Sequence, residues 1–376
     1  MKTRDKYSYL MKINKTFINS MGLMSGTSLD GLDIALISTD SLNKFILRQF
    51  NTYKYSKSLK QSIRDFIDNR KNINHLDGLI TEFNAKCIKS FMEEFNIKQS
   101  DIDIIGMHGH TIFHSPKENW TWQLSNGKAL SNLVNIPVIS NLRYRDVCLG
   151  GEGAPLVGIW HKTLLMGSKD PIFPCVFLNI GGVSNITYIE NEYEIPYSFD
   201  IGVGNGPIDM VMEKYFDISF DKGGKISLKG VVNKNSIYNI LTNEWFKKLP
   251  PKSIDKSSLN ILIQSCIKHL SPEDKAATLS KLISLQLKES LNFFSKRPKC
   301  LFICGGGSKN EAIIKGLKEE YGDIILPLEA HWNSDAMEAQ AFAYLATRSL
   351  KSISYTWQKI TGVRNEASGG LLNFPD

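Results

Sequence analysis

The sequence predicts an α/β protein of two domains that repeat one plan, with a cleft between the halves. Three observations carry that reading. At 376 residues the chain is long enough for two cores. Short apolar runs alternate with segments whose apolar residues recur every three or four positions, as strands alternate with amphipathic helices. A strand–glycine turn–strand pattern also occurs twice, with Gly181 standing 155 positions after Gly26.

Taken in order, Phe17–Met24, Leu32–Thr39 and Phe45–Tyr55 read as three strands. Lys57–Ile67 and His75–Phe95 have helical spacing, and Ile102–Met107 and Ile136–Ile139 are short apolar runs. The plan restarts with Cys175–Ile180, a turn at Gly181-Gly182, and Val183–Ile189. Helical stretches follow at Ile208–Phe216 and Glu273–Phe294, then a strand at Leu301–Cys304 and a helix from about Glu311. Met337–Leu350 reads as a final helix, in which Ala339, Ala341, Ala343 and Ala346 permit close packing. The expected division is an N-terminal extension over 1–15, a first domain of 16–150 plus 335–376, and a second of 151–334.

Composition narrows the function classes. The 42% hydrophobic and 22% charged fractions are those of a globular protein. The net charge of +7 is spread among acidic residues without a basic block, which argues against nucleic acid as a partner. No run approaches the ~18 apolar residues of a membrane span, and no secretory signal opens the chain. Six cysteines form no C-x-x-C pair, so the expectation is a cytoplasmic protein with free thiols and no structural metal.

The densest chemistry lies in Gly26-Thr27-Ser28-Leu29-Asp30-Gly31-Leu32-Asp33. Glycines let a ligand approach backbone N–H groups, hydroxyls donate to phosphate oxygens, and carboxylates hold the waters of Mg²⁺. A plain hairpin turn has no use for so many donors and acceptors, so this reads as a phosphate-handling turn. Gly305-Gly306-Gly307, between a strand and a helix, suits the phosphates or ribose of a nucleotide at an open helix N-terminus. Two familiar nucleotide motifs fail. No G-x-x-x-x-G-K-[ST] loop exists, and Pro207 occupies the third glycine position of a dinucleotide fingerprint at Gly202–Pro207. Asp200, at the end of the run Tyr197-Ser198-Phe199, is placed either as a general base or as a turn cap. His108, His110 and His114 lack the further ligands of a zinc site, so substrate contact or turn stabilisation is the better reading. Arg143, Arg145 and Asp146 either recognise a substrate anion or form a structural ion pair.

Several motifs resemble, in order and spacing, those of the anhydro-N-acetylmuramic acid kinases. They are Met24-Ser25-Gly26-Thr27-Ser28-Leu29-Asp30-Gly31-Leu32-Asp33, His108-Gly109-x-Thr111, Arg145-Asp146 with Gly150-Gly151-x-Gly153-Ala154-Pro155, Asn179-Ile180-Gly181-Gly182, Phe199-Asp200, Cys304-Gly305-Gly306-Gly307, Met337-Glu338-Ala339 and Thr361-Gly362. The resemblance runs from about Ile18 onward. It implies the two-domain actin-like ATPase fold, a duplicated ribonuclease H-like plan with an interdomain nucleotide cleft, and a homodimer. The implied reaction is ATP-dependent: water opens 1,6-anhydro-N-acetylmuramic acid and the product is N-acetylmuramic acid 6-phosphate, in peptidoglycan recycling and amino-sugar catabolism.

The implied ATP-binding residues are Gly26–Asp33, Gly181, Gly182 and Gly305–Gly307, with Mg²⁺ held through water at Asp30. Asp200 is the implied catalytic base, and His108, Arg143, Arg145, Asp146 and Gly153 the implied sugar-binding set. Four departures mark this chain. Ile254-Asp255-Lys256-Ser257 stands where the family has Thr-Gly-Arg-Glu, Asn141 where it has an acid, Val203 where it has Pro and His110 where it has Gln. These leave two alternatives open: another sugar or acid kinase of the same fold, or a nucleotide-binding regulator with impaired turnover.

Overall fold

The computed structural model describes residues 15–26, 29–69, 73–254 and 256–376. Most of the expected N-terminal extension, with Thr27 and Ser28, lies outside the described residues. Two compact units divide the chain. One runs to Lys169 and resumes over His331–Gln358 and Val363–Asp376, and the other is Asp170–Ala330 with Lys359–Gly362.

The first unit is built on β1 (Ile18–Ser25), β2 (Gly31–Thr39), β3 (Phe45–Lys54), β4 (Ile104–Ser115), β5 (Trp120–Leu124), β6 (Val138–Ser140) and, from the C-terminus, β11 (Leu371–Asn373). They form one sheet in the order β11-β6-β4-β1-β2-β3, with β5 on β4. β1, β2 and β3 are an antiparallel meander, while β4 lies parallel to both β1 and β6. Alternation along β1 decides what covers each face. Met21 and Leu23 join Ala85, Ile88 and Phe91 of the helix Ile73–Glu94 in one core. On the other face Ser20 Oγ donates to Ala343 O at 2.8 Å, and Gly22 abuts the backbone of Ala339 and Ala343. The alanines of Met337–Leu350 thus let this helix lie directly on the sheet. It is not the last element, since Gln358–Thr361 and β11 follow.

The first unit also reaches beyond residue 150, the expected boundary. Trp160, on the helix Gly158–Met166, packs 5.2 Å from Phe45 and 5.1 Å from Tyr344, measured between ring centres. Those contacts hold the helix in the first unit, and no composition change along the chain announces them.

The second unit repeats the plan. β7 (Cys175–Ile180), β8 (Val183–Ile189) and β9 (Tyr197–Val203) form an antiparallel meander, and β10 (Cys300–Cys304) pairs with β7 in parallel. The order β10-β7-β8-β9 matches β4-β1-β2-β3 strand for strand. The duplication expected from the two glycine turns is therefore present. The helix Pro272–Leu291 buries Leu279, Leu282, Ile283 and Leu287 against Leu178, Ile186, Phe199 and Ile201. It begins where Ser271 accepts from Asp274 N at 3.2 Å and Pro272 occupies the first turn, which spares a helical N–H.

Candidate active site

In the first unit the β1–β2 turn is pinned on both sides. Leu29 N donates to Gly26 O at 3.3 Å, and Tyr55 N to Asp30 O at 3.2 Å. Leu29 takes a positive φ of 60° while its side chain sits in a small core with Tyr55, Leu59 and Ile63. Leu32 is likewise buried, so these two anchor the turn with their side chains and could offer a ligand only backbone. A Cβ on Gly31 would stand 2.2 Å from Tyr53 O, which excludes any other residue there. Asp30 is exposed and Asp33 half-buried. Asp33 accepts from Thr52 Oγ1 at 2.6 Å. Burial pushes its carboxyl up to about 6 against the lowering effect of Thr52, with further help from the carboxylates of Glu338, Asp335 and Asp30.

Below this turn lies a polar chain that the sequence did not announce. Ser25 Oγ shares a 2.5 Å hydrogen bond with Tyr55 OH and a 2.8 Å one with His110 Nδ1, all three groups being buried. The histidine that departs from the family pattern thus braces the end of β1 against β4.

The implied sugar-binding residues converge in the same unit. Arg143 Nε donates to His108 Nε2 at 2.9 Å, and Arg143 Nη1 to Gly153 O at 2.6 Å. Gly153 N donates in turn to Asp146 Oδ1 at 2.7 Å. Burial, and then the Arg143 cation, hold His108 well below the usual histidine range, so its ring is neutral at pH 7. Both the His108 ring and the Arg143 guanidinium lie against Phe342, at 4.6 and 5.5 Å. Arg145 is exposed. Asn141, also exposed, lines a cavity of about 380 Å³ with Asp77, Trp122, Asn126 and Ser140.

In the second unit the glycine turns meet at the carboxyl ends of the parallel pair β7 and β10, where α/β sheets bind ligands. Asn205 N donates to Gly181 O at 2.7 Å and Gly206 N to Gly182 O at 3.1 Å. Gly305 has a φ of 78°, and a Cβ there would lie 2.4 Å from Asn179 Oδ1. Gly306–Lys309 form a 3₁₀ turn and the helix starts at Glu311, as the sequence predicts, but the open N-terminus expected of it needs correcting. Asn310 Oδ1 already accepts from Ala312 N and Ile313 N, so the helix N-terminus is capped rather than open.

Asp200 is also placed differently from the expectation. It lies within β9, which continues to Val203, beside a register break opposite Ser184 and Asn185. Such a bulge turns a side chain out of the regular alternation. Beyond it Gln286 braces the end of β9, accepting from Val203 N at 2.8 Å and donating back to Val203 O. On the outer edge of β9, Asp200 N donates to Lys252 O and Ile254 N to Asp200 Oδ2, both at 3.0 Å. The departure at Ile254 leaves that bond intact because the backbone makes it.

Comparison with known proteins follows the same residues. The family model for anhydro-N-acetylmuramic acid kinase matches residues 18–375. An anhydro-N-acetylmuramic acid kinase of Zymomonas mobilis subsp. mobilis is 35% identical over 368 residues, covering 94% of this chain and 99% of that protein. The one from Paramagnetospirillum magneticum is 33% identical over 357 residues, covering 95% and 99%.

Proposed function

Because the chain belongs to the anhydro-N-acetylmuramic acid kinase family, we propose that it converts 1,6-anhydro-N-acetylmuramic acid, ATP and water to N-acetylmuramic acid 6-phosphate and ADP. The observation that carries the reading is Asp200, a half-buried carboxylate at a bulge whose Oδ2 is fixed by Ile254 N–H.

Asp200 takes the proton of a water that attacks the anomeric carbon, as the base of an inverting glycosidase does. The bond from that carbon to the bridging 6-oxygen breaks, and the 6-oxygen attacks the γ-phosphoryl as it departs. It needs no separate acid, since the charge that would otherwise collect on it passes into the new P–O bond and the leaving ADP. The turn Gly26–Asp33 handles the triphosphate, with Gly181, Gly182 and Gly305–Gly307 offering bare backbone to the nucleotide. His108, neutral and fixed by Arg143, orients the sugar together with Asp146, Gly153 and Arg145.

Mg²⁺ belongs to the same reading. Among the described residues no group of three His, Cys, Asp or Glu side chains converges to hold a metal ion. Asp33, whose carboxyl is raised chiefly by burial and further by the negative charges of Glu338, Asp335 and Asp30, fits a divalent cation that brings water and phosphate oxygens as its other ligands. Asp30 and Asp33 would hold it through water, and when bound it would neutralise charge on the phosphoryl group. The reading extends to a cytoplasmic homodimer acting in peptidoglycan recycling. No helix among the described residues is long and apolar enough to cross a membrane.

Incubation with ATP and the anhydro-sugar, followed by mass spectrometry, tests the proposal. A phosphorylated product that has gained one water is expected. Phosphorylation without hydration would point to another sugar kinase, and nucleotide binding without turnover to a regulator.

A further inference from the structure

Beside Asp200 stands a charged group with no role in the scheme above. Lys252 is 4% exposed, which is rare for a lysine. Its Nζ donates to the carbonyls of Trp245 and Phe246 at 3.2 and 3.0 Å. It also lies 4.5 Å from the centre of the Trp245 ring and 5.1 Å from that of Phe293. Two carbonyl dipoles and two π faces make a cage for a cation.

The backbone of the same residue ends on the proposed base. Lys252 O receives Asp200 N, and two residues on Ile254 N grips Asp200 Oδ2. Between them Ser253 O accepts from Trp245 Nε1 at 3.1 Å, so the tryptophan that cages the ammonium also clamps the strap. Cage, strap and carboxylate form one mechanical unit. We propose that Lys252 is a positioning residue, whose caged ammonium holds the strap 252–254 in the register that orients the Asp200 carboxylate. This rests on the reading of Asp200 as the base.

The charge carries the function and is held at a cost. Burial, then repulsion from Lys248, bring the Lys252 ammonium down to about 8, while attraction to Asp200 opposes them. Above that pH the neutral amine weakens its hold on the cage. Turnover should therefore fall as pH rises through about 8, whereas nucleotide binding should not.

The test compares wild type, Lys252→Met and Lys252→Arg for kcat and for KM toward ATP and the anhydro-sugar between pH 6 and 9.5. Circular dichroism checks each fold. The methionine variant is expected to stay folded, to lose ~10- to 100-fold in kcat, the scale of a misaligned catalytic group, and to hold its KM for ATP within about twofold. The arginine variant, which keeps its charge, should recover most of the rate and lose the alkaline decline. Wild-type kcat in the methionine variant, or an alkaline decline that persists in both variants, would overturn the proposal. So would failure of both variants to fold, which would make Lys252 structural. If wild type itself fails to turn over the anhydro-sugar, the functional reading falls first and takes this inference with it.

Discussion

Asp33 offers a direct test of how the β1–β2 turn is built. Its carboxyl titrates at 3.8 in the unfolded chain and at about 6 in the fold, chiefly through burial. Between those values the native state binds more protons than the unfolded state, so stability falls as pH rises through the window and stays low above it. The difference corresponds to about 3 kcal/mol at neutral pH, an upper bound because the half-buried group keeps some solvent. Asp33→Asn keeps the shape and an oxygen for Thr52 Oγ1 but removes the charge that Glu338, Asp335 and Asp30 repel. At ~2–4 °C per kcal/mol for a unit of this size, the variant should melt up to about 12 °C above wild type at pH 7.5. Scanning calorimetry without ligand at pH 7.5 and 4.5 measures it, and the gap should close to about 1 kcal/mol or less at the lower pH. A variant no more stable than wild type at pH 7.5, or a gap that does not narrow in acid, would refute the argument. If the turn holds phosphate as proposed, the same variant should also lose turnover, because the strain it relieves would belong to that site.

Asp200→Asn should leave nucleotide affinity unchanged by calorimetric titration while lowering kcat by ~10²-fold or more; a smaller effect would remove Asp200 from the role of base. Gly22→Ala would place a methyl 1.8 Å from Ala339 O and 2.5 Å from Ala343 N, where backbone on both sides must move. A loss of about 3 kcal/mol or more in denaturant unfolding is expected, at or beyond the upper end for overpacking. His110→Gln, which installs the amide usual in the family, still reaches Ser25 Oγ and should change kcat by no more than about threefold. A collapse of activity would show that the imidazole does more than brace β1.

The departures from expectation share a cause. Asp200 was legible as a carboxylate after an apolar run, yet its setting beside a register break, with its N–H bonded to Lys252 O more than 50 positions away, is a product of the fold. Likewise Asn310 is an unremarkable residue in sequence, and only its side-chain bonds to Ala312 N and Ile313 N show that the helix N-terminus is capped. The role of Lys252 was not legible, since its cage is assembled from Trp245 and, more than forty positions on, Phe293.

By itself the sequence determined the duplicated α/β plan, the family, and the residues of both glycine turns and of the proposed base, because periodicity, turn composition and motif spacing are local properties of a chain. Tertiary structure alone decided which groups touch: the raised Asp33 carboxyl, the His108–Arg143–Gly153–Asp146 chain and the caged ammonium behind Asp200. Burial and Coulomb effects depend on distance in space, and distance along the chain does not report it.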